Sequence, residues 1–507
     1  MGDDQAMAQP PLELDDRLGI QDVVAVARGR RRVTLAEPAA ARVLRGRDVT
    51  EALLERGERV YGLTTGVGAL KRVPVGQSEQ EAFNRLLVLS HRTGTGPAVE
   101  EPVVRAAMLA QAAGFARGRG GVRLELVQLL LDALNAGFAP AVRTTGSLGQ
   151  SDLGPLADLG SALTGEGESG EQLRELGLEP WRPADKEALA FVNSNAFTLG
   201  WTALALGDVA ALLDRFDESA ALTFEGMLGN VEALDPAIAD ARPVPGIAEA
   251  VERMRSLLAG GRLIEGGMHR HLQDPLTMRV VPQTHSAARV ALQHSSAIVE
   301  AELVASHDNP SIAPDGRALS NGNFDSVPYG VTIDYLRLAL AHVVTASCER
   351  SNKLVYSAFS GLPTGLREDD ASSQDGLGIV VYGATAAAAE ARLLAQPATL
   401  ELPTSSVAEG IEDRVIPTTI SARRLVEMTR LARYVAAVEL YLAAQAVDLR
   451  ERSAELGAGT ARVYEQVRRH APRWRAGSLP VADLGPLEQA MADSSWDVAG
   501  GLPRKPG

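Results

Sequence analysis

Four stretches of the chain hold residue types that do chemistry. Residues 61–68 read YGLTTGVG, a tyrosine opening a loop with three glycines. The glycines permit close backbone approach or positive φ. A phenol there is a general base if its pKa is lowered, and otherwise a packing residue. Residues 84–96, NRLLVLSHRTGTG, put His91 after an apolar run and before two glycines. A lone histidine so placed is a structural hydrogen-bonder or a ligand contact. Residues 271–283, HLQDPLTMRVVPQ, set Arg279 among apolar residues with Gln273, Asp274 and Gln283 nearby. A buried arginine needs an anionic partner, and spacing alone leaves a protein carboxylate and a substrate carboxylate equally open. Residues 146–156, GSLGQSDLGPL, present Gln150-Ser151-Asp152 on a glycine-flanked turn ahead of Pro155. Ser151 or Asp152 can cap the helix that follows, and the same helix start favours an anionic ligand group.

These loops must be held by helices. Residues 40–57 carry apolar residues at helical spacing, with Thr50 placed to cap a second piece. Residues 101–137 predict two helices broken at Gly118–Gly121, the second stopped by Gly137 and Pro140. In 331–356, Ile333, Leu336, Leu340, Val343 and Val344 form one stripe, and 419–453 carries another from Ile420 to Leu442. Strand patterns are few. With only 4% aromatic residues, packing must rely on Ala and Leu. The expected fold is mainly α, with a central bundle of long helices. The expected division is a flexible tail at 1–18, an N-terminal region at 19–220 and a long-helix region at 221–507. Residues 165–185 read as an exposed excursion.

The polar clusters SHDNPSI (306–312), NGNFDSVP (321–328) and EGIEDRV (409–415) are singly ordinary turns. The eight histidines include no helical pair with a nearby Glu, and the run at 269–271 lacks a third ligand, so no metal site is expected. Cys348 is the one cysteine and reads as a buried small side chain; it excludes a disulfide framework. The net charge of −14 offers no footprint for nucleic acid or anionic membrane. The N-terminus has no signal-peptide pattern, and no run of about 18 uncharged apolar residues is apparent. A soluble cytoplasmic protein is expected.

In this order, from about Tyr61 to Val415, the pieces resemble the histidine/phenylalanine ammonia-lyase family, which includes the aminomutases. The resemblance implies an ammonia-lyase-like fold and a homotetramer whose sites are shared between subunits. It places the family's catalytic Tyr at Tyr61, the active-site His at His91 and the active-site Asn of KEALAFVNSN at Asn193. The carboxylate-binding Arg falls on Arg279 beside Gln273, the active-site Phe on Phe324 and the functional Glu of IEDRV on Glu412. The candidate catalytic set is therefore Tyr61, Ser151 and Glu412. The candidate substrate-binding set is His91, Asn193, Gln273, Arg279 and Phe324.

The family's reactive segment is Gly-Ser-x-Gly-Ala-Ser-Gly-Asp-Leu-Ala-Pro-Leu. Its Ala-Ser-Gly cyclises and dehydrates to the electrophile MIO (4-methylideneimidazol-5-one). Here one residue is lost, Ala is replaced by Gln150, and Asp152 follows Ser151 directly. Cyclisation needs the amide nitrogen after Ser to attack the carbonyl before it, which Gly allows because it lacks Cβ. Leu276 replaces the family's Tyr and Ile411 its Gln. The expected cofactor is none, MIO included. Three readings follow. The first is an enzyme working without MIO on an amino-acid-derived substrate with a carboxylate, by elimination or addition, isomerisation or cyclisation, in specialised metabolism such as antibiotic biosynthesis. The second is a catalytically silent ligand-binding protein. The third is a conventional lyase or aminomutase with an atypical prosthetic group.

Overall fold

The computed structural model describes residues 9–368, 376–400, 408–477, 483–493 and 496. The chain is predominantly helical, and the strands among the described residues make three two-stranded pairs. The first pair is parallel, with Leu12 opposite Val33 and Leu14 opposite Leu35. Leu14 and Leu18 are buried. This shortens the expected tail, because residues from Leu12 onward are already in the fold; residues 1–8 lie outside the described residues.

Two compact units form, each from three separated stretches: 1–207, 295–333 and 397–423 in the first, and 208–294, 334–396 and 424–507 in the second. The boundary expected at 220 falls inside a helix, so it does not divide the chain. Residues 37–55 form one helix, Glu37–Glu55, and Thr50 caps nothing. Its buried hydroxyl instead donates to the Gly46 carbonyl one turn back. The helices Glu101–Ala116 and Leu124–Ala136 break where expected, and Gly137 ends the second at φ 84°. The excursion at 165–185 is tied down, since Leu173 and Trp181 are buried.

The helices that carry the polar loops are α1 (Leu153–Leu163), α2 (Ala196–Met227), α3 (Ile247–Leu258), α4 (Val281–Leu303), α5 (Val327–Val355), α6 (Val380–Leu394) and α7 (Thr418–Leu449). The α5 stripe from Ile333 to Val344 is buried as its spacing predicts. So is the α7 stripe from Leu425 to Leu442, while Ile420 is exposed. In the first unit, a Cβ at Gly200 of α2 would sit 2.6 Å from the Ala106 backbone, so only glycine lets α2 lie against Glu101–Ala116. In the second unit, Glu439 of α7 is fully buried and accepts from Arg350 at 2.6 and 2.9 Å. Ser219, Thr223 and Ser347 also donate to it. A buried ion pair is tolerable only when its remaining hydrogen-bonding capacity is met like this. Cys348 is buried, as expected.

Three stretches, Glu187–Met227, Val327–Val355 and Gly376–Leu394, are long and apolar enough to cross a membrane by length and composition, contrary to the expectation from sequence. The protein buries 72% and 67% of the first two windows, which shows what their apolar residues pack against.

Candidate active site

The degenerate turn is built on close backbone contacts in the first unit. Gly149 has φ 76°, and a Cβ there would lie 1.5 Å from the Ile416 carbonyl oxygen, so no other residue fits. Gln150 bridges Asp325 across the backbone. Ser151 is buried and held at φ 72°, a left-handed conformation that costs a non-glycine residue energy. Its hydroxyl donates to Asn193 Oδ1 at 2.6 Å. Asn193 Nδ2 donates in turn to Asp308 Oδ1 at 3.4 Å and to the Asn309 carbonyl at 3.3 Å. Asp308 is paired with Lys186, which is fully buried. Burial pushes the Asp308 carboxyl up, and the Lys186 charge opposes that. A buried charge pair therefore fixes which way the Asn193 amide faces, and so fixes the acceptor that holds Ser151.

Asp152 does not cap the helix that follows it. Its carboxylate accepts from the Thr198 N–H at 2.8 Å and the Thr198 hydroxyl at 2.6 Å, so it caps the start of α2 instead. Ser147 donates to it at 2.7 Å. Its own amide N–H donates to the Ser194 carbonyl at 2.7 Å. Burial raises the carboxyl above its ordinary value, against the pull of these donors.

This arrangement does not fit the MIO ring. Ring closure would take the Asp152 nitrogen from Ser194 and carry it to the Gln150 carbonyl carbon. That motion would pull the Asp152 side chain off Thr198 and Ser147. It would also disturb Gln150, which Asp325 holds from the other side.

Tyr61 and Glu412 lie in the same unit. The Tyr61 oxygen accepts from the Gly68 N–H at 2.8 Å. Even so, burial raises the phenol's pKa, and the Glu412 charge raises it further. This is the opposite of what a base loop requires of its own neighbours. His91 Nδ1 lies 2.7 Å from the Leu87 carbonyl, so in the neutral ring it is the protonated nitrogen and Nε2 is the acceptor. The Phe324 carbonyl accepts from Asn195 at 3.0 Å, which fixes the loop beside the turn.

Gln273 and Arg279 lie in the second unit. Arg279 is half-buried, donating to Gln273 Oε1 at 2.6 Å and to the Asp274 carbonyl at 2.9 Å. Among the described residues no carboxylate forms an ion pair with it. Of the two partners left open by spacing, the protein carboxylate is not found.

Sequence reasoning missed three groups. Asp325 takes both Arg414 Nε at 2.9 Å and Gln150 Nε2 at 3.4 Å. His307 Nε2 pairs with Glu302 at 2.8 Å. Both line a cavity of about 540 Å³ in the first unit, the size of a small-ligand pocket. Lys186 and Asp308 stand in KEALAFVN and SHDNP, but a lone Lys and an Asp in a turn read as surface until the fold buries them.

Residues 18–469 match the profile of the aromatic amino acid lyase family. The chain belongs to this family. It is 36% identical over 480 residues to the histidine ammonia-lyase of Alkaliphilus oremlandii, covering 92% of this chain and 94% of that one. It is similar in structure to the tyrosine aminomutase of Streptomyces globisporus, with a TM-score of 0.91, 28% identity, and 96% and 98% of the two chains covered. It is likewise similar to an ergothioneine-degrading enzyme of Treponema denticola in complex with desmethyl-ergothioneine sulfonic acid. There the TM-score is 0.90, the identity 27%, and the coverage 97% and 100%. The ammonia-lyase-like fold expected from sequence is the fold of these neighbours.

Proposed function

We propose that this aromatic amino acid lyase-family protein is an enzyme that works without MIO on an amino-acid-derived substrate carrying a carboxylate. One observation carries this reading: the nitrogen and side chain that cyclisation must move, those of Asp152, are committed to Ser194, Thr198 and Ser147. An ordinary amine is a poor leaving group, and nothing in such a turn activates it. The substrate must then bring its own activation, as a quaternised or acylated nitrogen does. In the elimination, a base takes the β-proton. The C–H pair becomes the Cα–Cβ double bond, and the leaving group departs with the C–N pair. Addition is the reverse, while isomerisation and ring closure use the same acidic position.

Arg279 binds the substrate carboxylate, and Gln273 orients its guanidinium. Tyr61 transfers the proton, with Glu412 as the neighbouring carboxylate. His91, Asn193 and Phe324 contact the substrate, and Ser151 stays a serine that hydrogen-bonds Asn193. The protein is a cytoplasmic homotetramer of specialised metabolism, with no nucleic-acid or membrane partner. Exposed apolar residues support assembly: Val331, Tyr335 and Leu338 on α5, and Ile379, Tyr382 and Leu393 along α6 and its entry.

The deciding experiment is intact-mass measurement with borohydride labelling. The expected mass is that of the unmodified sequence; a deficit of two waters, about 36 Da, would overturn the reading. A second reading, the silent binder, is favoured by the raised Tyr61 phenol. L-Histidine, L-tyrosine and ergothioneine, named by the relatives, begin the screen; binding with no turnover of any bound compound selects the binder.

A further inference from the structure

We infer that the first-unit cavity beside the degenerate turn is a binding site for a small primary amine, held as its ammonium ion by His307 Nδ1. The cavity, about 540 Å³, is lined by the end of α4, the start of α5 and the loops next to them. That volume suits a small organic molecule. Glu302, Ser306, His307, Asn323, Asp325 and Arg414 are its polar lining, and Ala305 and Val327 add apolar surface. None of the residues assigned above to catalysis or substrate binding lines it.

His307 fixes the kind of ligand. Its residue is 6% exposed, yet it lines the cavity. Its Nε2 lies 2.8 Å from Glu302 Oε2. An ionised carboxylate only accepts, so Nε2 carries the proton and Nδ1 of the neutral ring keeps its lone pair. Among the described residues nothing donates to that lone pair. A buried acceptor without a donor carries an unmet desolvation cost, which a ligand N–H or O–H removes. Charge selects between those two donors. The lining holds two carboxylates, Glu302 and Asp325, against one guanidinium, Arg414. Arg414 Nε is already bonded to Asp325 at 2.9 Å. With the imidazole neutral, the lining is net negative by one charge, which favours a cationic donor. A primary ammonium brings three N–H donors, and its bonds are roughly twice as strong as neutral ones. Ser306 and Asn323 supply further acceptors, since among the described residues neither side chain bonds another protein group. A quaternary nitrogen has no N–H to give, so it does not suit His307.

The test uses the full-length chain and n-propylammonium chloride. Calorimetric titration at constant ionic strength should give a Kd of about 1 mM or tighter. Tetramethylammonium has the charge but no N–H, and 1-propanol has a donor but no charge. Each should bind at least about tenfold more weakly. Hydrogen exchange should show propylammonium slowing the backbone of 302–308 and 321–328. His307→Phe removes the acceptor and should lose about tenfold or more in affinity. That change also strips Glu302 of its partner, so Glu302→Gln serves as a second variant. It keeps a hydrogen-bonding side chain, removes one negative charge and lets the ring move its proton to Nδ1. Affinity should fall about threefold or more. No binding of propylammonium up to about 50 mM would overturn the assignment. So would equal binding of all three probes, protection confined to other segments, or undiminished affinity in both variants. Intact mass, which decides the chemistry of the turn, is independent of every one of these readouts.

Discussion

If Asp152 is committed to the start of α2, its loss should be felt as a lost cap and a lost anchor for the turn. In Asp152→Ala, the buried Thr198 N–H loses its acceptor, which costs about 1–3 kcal/mol for an unsatisfied buried donor. The Thr198 hydroxyl keeps Thr419 at 2.7 Å, and the Ser147 hydroxyl can rotate, so their losses are smaller. Removing a carboxylate whose pKa burial has raised recovers part of its desolvation cost. The net expectation is a destabilisation of about 2–3 kcal/mol, at the upper end for a helix cap. Differential scanning fluorimetry should read this as a melting temperature lower by about 2–3 °C for a chain of this size. Asp152→Asn keeps one acceptor oxygen and should lose about half as much. The sign of the pH dependence follows from the raised pKa. The wild-type carboxyl contributes fully below its unfolded pKa, and its contribution is lost as pH rises through the higher folded value. The deficit of the Asn variant should therefore narrow as pH rises above the ordinary carboxylate range. An Asp152→Ala protein melting within 1 °C of wild type, by the same measure of cap energetics, would refute this account.

Glu218 offers a second pH test, since burial pushes its carboxyl up to about 8 from 4.5. The folded state holds this proton more tightly, so stability falls between those two values and is level above; Glu218→Gln should melt near wild type at pH 4 and be more stable at pH 9. At about 1.4 kcal/mol per pH unit the gain is on the order of 5 kcal/mol, and equal melting at pH 9 would count against it. Arg279→Lys should weaken binding of a carboxylate ligand roughly 10- to 100-fold in calorimetric titration, because a point charge replaces a planar fork. Tyr61→Phe removes one oxygen and should leave the melting temperature nearly unchanged while cutting turnover of an identified substrate roughly 10²- to 10⁴-fold. Full activity in that variant would remove Tyr61 from proton transfer.

The long helices were legible because they bury a stripe at 3.6-residue spacing, and α5 and α7 keep that stripe almost without interruption. Thr50 misled because the same residue that caps a helix can also bond back to its own turn inside one. Asp152 misled for a related reason. A carboxylate just before a helix reads as that helix's cap, but here the acceptor serves α2, which begins 44 residues further along the sequence. The buried Lys186–Asp308 pair was hidden because charge reads as surface until two distant segments meet. The membrane-length apolar windows were missed for a simpler reason. Alanine, glycine and threonine interrupt the runs of large apolar residues, although the average hydropathy remains high.

Two features of the candidate site bear on the same barrier. The turn spends the Asp152 nitrogen and carboxylate on the fold, and under the proposed function it offers no electrophile to make an amine leave. The Tyr61 phenol is pushed up by burial and by Glu412, so its surroundings within the first unit do not make a strong base. Conventional ammonia elimination needs help at both ends: activation of the nitrogen and removal of a weakly acidic proton. A substrate that carries a permanent positive charge at nitrogen answers both needs. It departs as a neutral amine, and before departure its charge acidifies the neighbouring C–H. A cation held near Tyr61 and Glu412 would also lower the phenol's pKa by direct Coulombic attraction to the phenolate. Substrate and site would then complete each other, with the charge that neither Asp152 nor Glu412 supplies arriving on the ligand. Titration of the Tyr61 phenol in the presence of a cationic, carboxylate-bearing ligand should move downward, and an unchanged titration in the bound state would break that link.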